Sequence, residues 1–208
     1  MEWSNIVLFF TASWFIVITP GPDLIYVMTR GISQGRTAGV VSAFGVTLGI
    51  LVHTLFAAFG LTLLLKTSAL AFTTIKIIGA LYLIYLGVQA LQKKSSLTLN
   101  QKCNSLSLGK IFIQGVFSNV LNPKIALFFL AFIPQFISPQ HGNVSVQMAI
   151  LGFTFALMGV FFLVIVGYYA GNIGKWLSKH ENVSNKINWI TGGILVGLGI
   201  RLAFLEQK

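Results

Sequence analysis

Residues 19–26 read Thr-Pro-Gly-Pro-Asp-Leu-Ile-Tyr (TPGPDLIY), with apolar sequence on both sides. Pro20 and Pro22 lack the N–H that an α-helix uses and crowd the preceding turn, so a helix passing through this stretch must break. Asp23 follows the break at once. It is one of four acids in the chain, and the other three (Glu2, Glu181 and Glu206) lie near an end or in a polar stretch. A helix break and the interior carboxylate therefore coincide.

The flanking sequence sets the class. Of 208 residues, 55% are hydrophobic and only 9% charged, against roughly a quarter charged in soluble domains. Mean hydropathy is +0.84. Apolar runs of about 20 residues recur, as membrane helices require. Six can be drawn: 4–29, interrupted at 19–22, then 38–65, 69–91, 111–133, 146–170 and 187–205. Helices are expected throughout, because lipid leaves no partner for unpaired backbone groups, and the short alternating segments of a barrel are absent. The expectation is an all-α polytopic membrane protein, one integral membrane domain over 1–208 with no soluble part. The start, Met-Glu-Trp, lacks the basic region and cleavage pattern of a removable signal.

The net charge of +10 would point to nucleic acid in a soluble protein, but here the basic residues fall in connections. Stretches 30–37, 92–110 and 171–186 carry Arg30, Arg36, Lys93, Lys94, Lys102, Lys110, Lys175, Lys179 and Lys186. The other side holds Lys66, Lys76, Arg201 and Lys208. The excess places the first three stretches in the cytoplasm and both termini outside. Cys103 is the sole cysteine, which excludes an internal disulfide and a thiol relay. His53, His141 and His180 are scattered, so no metal site is expected, and without a Walker A motif ATP does not drive the chain directly.

The polar stretch 92–110 divides the chain into repeat 1, about 1–91, and repeat 2, about 111–208. VITPGPDLIYV in the first half corresponds to NVLNPKIALFF in the second, with Pro22 against Pro123 and Asp23 against Lys124. IKIIGALYLIYLG likewise matches INWITGGILVGLG. Three spans per repeat force the halves into opposite orientation, and inverted repeats with helices 1 and 4 broken at GPD and NPK are a pattern of secondary transporters.

Proline is favoured at the first helical position, after a cap. Gly21-Pro22 and Asn122-Pro123 thus read as starts of half-helices, Asn122 being a good N-cap. Such starts present free N–H groups and a positive dipole end to an anion. The bland alternative is a pair of prolines that only kink packed helices. Asp23 and Lys124 in mid-membrane are functional candidates by default: either they form a structural ion pair, or Asp23 takes the ammonium of a zwitterion while Lys124 or a half-helix start takes its carboxylate. Seven residues separate Asp23 from Arg30, roughly 10 Å of helix, and fourteen separate Lys110 from Lys124, roughly 20 Å. The pair meets only if the first span is tilted or re-entrant. Thr47 and His53 lie among the glycines of the second segment and are candidates for a cavity or proton relay, set against the reading that small residues there mostly allow close packing. His53 is either a proton relay or a hydrogen-bonded packing residue, and Tyr82 and Tyr85 either line a cavity or pack.

Through TPGPDLIYV, RGISQGRTAGVVSAFGVTLG, GALYLIYLG and SNVLNPKIALFFLAFIPQF, the sequence resembles the LysE/RhtB family of amino-acid exporters over its whole length. The resemblance implies a bacterial inner-membrane protein that exports a small amino acid or derivative, driven by the proton gradient through alternating access. It carries Pro20, Gly21, Pro22 and Asp23 over from one motif, and Asn119, Asn122, Pro123 and Lys124 from the other. The expected partners are the amino acid, a proton and the bilayer, with a homo-oligomer compatible; no cofactor, catalytic activity or nucleic acid is expected. The rival reading is an exporter of an inorganic or heavy-metal cation, disfavoured by the lack of clustered Cys, His or acids.

Overall fold

The computed structural model describes residues 3–67, 69–92, 105–138, 140, 142–179 and 181–204. Residues 93–104 of the expected polar loop, with Lys93, Lys94, Lys102 and Cys103, lie outside the described residues, as do His141 and His180. The described residues form helices joined by short turns, with no strand among them.

Helix α1, Trp3–Ile18, stops where Pro20 removes an N–H and disfavours the helical region for the residue before it. Thr19 still donates its N–H to the Phe15 carbonyl at 2.9 Å. Gly21 then serves as the N-cap of α2, Pro22–Gln34, and the two helices bend by 49°. Helix α2 buries Asp23, Val27, Met28 and Gly31, a spacing that lines one helical face. Gly35, at φ 85°, is the joint to α3, Arg36–Thr67, and α4 covers Ala69–Gln92.

The second half begins in the same way. Helix α5, Leu108–Val120, ends at Leu121, and α6, Pro123–Leu127, starts on an Asn122 cap. The bend between them is 47°. Beyond α6 the backbone widens into a π-helical turn over Phe128–Phe132 and tightens into a 3-10 turn over Ile133–Phe136. Helices α7, Val144–Lys179, and α8, Glu181–Phe204, complete the chain.

Among the described residues, three helices are long and apolar enough to cross a membrane, and up to five spans result if each bent pair counts as one. The sixth apolar segment, expected at 187–205, lies in α8, where the apolar part is the shorter Gly192–Phe204. Two stretches expected as loops, 30–37 and 171–186, are almost wholly helical. Hydropathy marks where a helix leaves apolar surroundings rather than where it stops, and no proline interrupts Gly171–Lys179.

Helix α3 lies along α7 and α4 along α8, while α2 wedges against α3 and α7 and α5 lies on α3. The α3–α7 crossing is close because Gly39 faces Gly167: a Cβ on Gly39 would collide with the Gly167 carbonyl. One apolar cluster joins α1, α3 and α7 to the stretch after α6. Within it a chain of rings runs Phe129–Phe155 (5.7 Å), Phe155–Phe128 (4.8 Å), Phe128–Phe132 (5.2 Å), Phe132–Phe136 (5.3 Å) and Phe136–Phe9 (5.5 Å). The outer faces carry Phe56, Phe59, Leu121, Phe161 and Trp189 in the open, a surface stable against hydrocarbon and unfavourable in water.

Candidate functional site

Each proline at a break deprives a particular carbonyl of its partner. An intact helix would join the N–H of residue 20 to the carbonyl of Ile16, and that of residue 123 to the carbonyl of Asn119; prolines at 20 and 123 cannot donate. Both carbonyls are met by side chains from the other half of the chain. Lys124 Nζ donates to the Ile16 carbonyl at 3.1 Å and to the Thr19 carbonyl at 3.1 Å. His53 Nε2 lies 3.1 Å from the Asn119 carbonyl; a carbonyl only accepts, so Nε2 carries the hydrogen. The Asn119 carbonyl also accepts the Asn122 N–H at 2.9 Å. The His53 ring stacks on Phe129 at 5.9 Å.

Asp23 occupies the centre, 7% exposed. Its Oδ2 accepts from Asn119 Nδ2 at 2.8 Å and from Asn122 Nδ2 at 2.9 Å. Asn122 also caps α6, its Oδ1 accepting the Lys124 N–H at 3.0 Å. Gly49 of α3 leaves room for the Asn119 side chain, since a Cβ there would stand 2.6 Å from Asn119 Cβ and 2.8 Å from its Oδ1. Two buried oxygens at the junction remain without a hydrogen-bond partner, Asp23 Oδ1 and Asn119 Oδ1. Burying such acceptors unmet costs about 1–3 kcal/mol each.

Asp23, Asn119, Asn122 and Lys124 are thus brought together and buried, with Pro20 and Gly21 half-buried beside them and Pro22 and Pro123 exposed at the edge. Lys124, 6% exposed, directs its ammonium to carbonyls and not to the Asp23 carboxylate. The spacing difficulty between Asp23 and Lys124 is relieved in two ways. The first span bends, and Arg30 Nη2 donates to Gln114 Oε1 at 3.0 Å, one turn further in than Lys110. Tyr26 Oη also donates to the Ile111 carbonyl at 2.6 Å, fixing α2 against α5.

Of the weaker candidates, His53 joins the junction. Thr47 directs its hydroxyl to the Ala43 carbonyl of its own helix, at 2.8 Å. Tyr82 and Tyr85 lie with ring centroids 6.1 Å apart, Tyr85 58% exposed, and neither is hydrogen-bonded to the junction among the described residues. The sequence reading missed the Ile16 and Thr19 carbonyls. Pro20 signalled the first, because its missing N–H is the one that carbonyl would have accepted.

Fold and junction together define an integral membrane protein of the polytopic helical class, organised around a buried polar contact between two broken helices. The chain belongs to the LysE type translocator family, whose model matches residues 14–206; this is a family of membrane efflux proteins. It is 38% identical over 197 residues to the uncharacterized membrane protein YrhP of Bacillus subtilis (strain 168), covering 89% of this chain and 92% of that one. It is 33% identical over 193 residues to a homoserine/homoserine lactone efflux protein of Salmonella typhimurium, covering 92% of each. A Vibrio cholerae membrane protein is 31% identical over 188 residues, covering 89% of this chain and 90% of that one. No solved structure matches.

Proposed function

We propose that the protein exports a small amino acid or amino-acid derivative across the bacterial inner membrane, coupled to proton entry, by alternating access. The observation that carries this reading is the pair of unmet buried acceptors, Asp23 Oδ1 and Asn119 Oδ1. A ligand that completes them must donate hydrogen bonds and favour a negative charge, and a primary ammonium does both. The Salmonella relative named for homoserine and homoserine lactone efflux supports a substrate with such a group.

Asp23 also supplies a route to coupling. Its free oxygen holds either a proton or the substrate ammonium, so each displaces the other. A proton arriving from outside releases the amine there, and an amine arriving from the cytoplasm sends the proton inward. Pro20, Gly21, Pro22 and Pro123 keep the two helices broken, so that Asp23, Asn119, Asn122 and Lys124 meet at the breaks. The moving parts are two inverted three-helix repeats, six spans in all with α8 as the last; the similar bends of 49° and 47° and the pairing of α3 with α7 and α4 with α8 support this arrangement. Stretches 30–37, 92–110 and 171–186 face the cytoplasm in this reading.

Purified protein in liposomes, tested with a panel of labelled amino acids under an imposed pH gradient, decides the matter. Accumulation of at least one amino acid that collapses with the gradient is expected. A folded protein that moves none of the panel overturns the proposal, and movement of a metal cation instead would favour the cation-exporter reading.

A further inference from the structure

We propose that the seam between α2 and α5 is the gate through which substrate reaches Asp23 from the cytoplasm, with Tyr26, Arg30 and Gln34 as its latch. This rests on the export reading above, and it follows from how differently two flanks of α2 are held. One flank is apolar and tight. Val27 packs in a cluster with Ala43, Val46 and Leu163. A Cβ on Gly31 would stand 2.5 Å from Ala170 Cβ and 2.7 Å from the Gly167 carbonyl oxygen, so α2 is fastened to α3 and α7. The other flank carries Asp23, Tyr26, Arg30 and Gln34, spaced three or four residues apart and so on one stripe of the helix. Every member of the stripe is hydrogen-bonded to α5 or to the residues just ahead of it. Asp23 Oδ2 accepts from Asn119 Nδ2 at 2.8 Å, and Tyr26 Oη donates to the Ile111 carbonyl at 2.6 Å. Arg30 Nη2 donates to Gln114 Oε1 at 3.0 Å, and Gln34 Nε2 to the Leu106 carbonyl at 3.0 Å.

The seam is thus a polar ladder leading from the buried carboxylate to the far end of α2. Among the described residues, none of α5 belongs to that apolar cluster or to the larger one. Helix α5 is held by α3 instead, where Gly45 leaves room for the Phe112 carbonyl and a Cβ on Gly115 would stand 2.9 Å from the Ser42 carbonyl oxygen. Water replaces the hydrogen bonds of a ladder at small net cost, but offers nothing in return for apolar surfaces that part. The other arms of the two broken spans, α1 and the stretch after α6, meet through Phe9 and Phe136, with ring centroids 5.5 Å apart. A polar solute finds partners along the α2–α5 seam and none between those rings. Gln34, Leu106 and Ser105 close the end of the ladder, beside the stretches 30–37 and 92–110 that the reading above assigns to the cytoplasm.

The test uses paired cysteines in a Cys103→Ser background, which removes the sole native thiol. Gln34→Cys with Ser105→Cys, whose parent side chains lie 3.4 Å apart, lets a short bifunctional thiol reagent bridge the seam. Arg36→Cys with Tyr168→Cys, parent side chains 3.2 Å apart, bridges α3 to α7, a pair that stays together when the seam opens. In liposomes, with a labelled amino acid that the panel shows to be carried, the seam bridge is expected to cut transport at least about tenfold and a reductant to restore it. The α3–α7 bridge is expected to leave transport within about twofold. A second readout needs no transport. Ile111→Cys, at a position fully buried in the seam, is expected to react with a hydrophilic thiol reagent about fivefold faster when Tyr26→Phe removes the hydrogen bond across it, the scale of one net hydrogen bond. Ala43→Cys in α3, equally buried, is expected to keep its rate. The proposal is overturned if the bridged seam transports as fast as the reduced one, if the α3–α7 bridge blocks transport equally, or if Tyr26→Phe leaves the Ile111→Cys rate unchanged. If the seam pair does not fold, the labelling decides alone. A wild-type protein that carries no amino acid overturns both readings, whereas transport indifferent to the seam bridge overturns only this one.

Discussion

Asp23 holds two amides on one oxygen and none on the other, and this lopsidedness makes its chemistry testable. Asp23→Asn keeps an oxygen for the two asparagine amides and removes a buried negative charge whose second oxygen is unmet. The variant should therefore melt at the same temperature or higher, by thermal unfolding in detergent, while transport falls about a hundredfold, the scale of one lost charge-assisted hydrogen bond. Wild-type transport in that variant removes Asp23 from the site. Gly49→Ala sets a methyl 2.6 Å from Asn119 Cβ and pushes the amide away from Asp23. A KM raised about tenfold, with a smaller change in kcat, is the outcome expected of a displaced ligand group. Asp23 stood out in the sequence because it is an acid among apolar residues. Gly49 did not, because its role lies in the Asn119 side chain it leaves room for, 70 residues away along the chain.

The broken helices show how far element-scale reading reaches. Both breaks were legible, since a proline is a local statement about one N–H, and so was the Asn122 cap, which acts within two residues. The groups that complete the breaks were not: Lys124 reaches carbonyls 108 and 105 residues earlier, and no local pattern encodes such a distance. The helical continuations past Arg30 and Gly171 were also missed, because apolar content thins out there before helical backbone does. Pro20→Ala tests the break itself. It restores an N–H to the Ile16 carbonyl in competition with Lys124, and removes a residue that costs about 3 kcal/mol inside a helix. A protein at least as stable but several-fold slower in turnover is expected; an unchanged rate would show that the break serves packing alone.

For the whole molecule, the all-helical membrane class could be read from apolar runs, because lipid constrains every span in the same way, whereas six segments were expected and three to five candidate spans are found among the described residues. The way the spans pack could not be read. The crossing of α3 and α7 at Gly39 and Gly167 depends on two glycines that look like any others in a chain holding 21 of them. Orientation is open to a test that needs no substitution, because Cys103 is the sole cysteine. A membrane-impermeant thiol reagent should label it in inverted vesicles and leave it untouched in intact cells. Labelling in intact cells would reverse the assignment of the 92–110 stretch.

The ring chain from Phe129 to Phe9 has an electrical meaning. It begins at His53, beside the polar junction, and ends on α1 at Phe9, with no polar side chain among its links. Such a column gives water nothing to bind, so under the proposed coupling it offers a proton at Asp23 no relay along its length. Phe132→Ala would remove the link that touches both Phe128 and Phe136 and open a gap in that insulation. Liposomes holding this variant should acidify faster than wild-type ones under a pH gradient with no substrate present, dissipating the very gradient that efflux would draw upon.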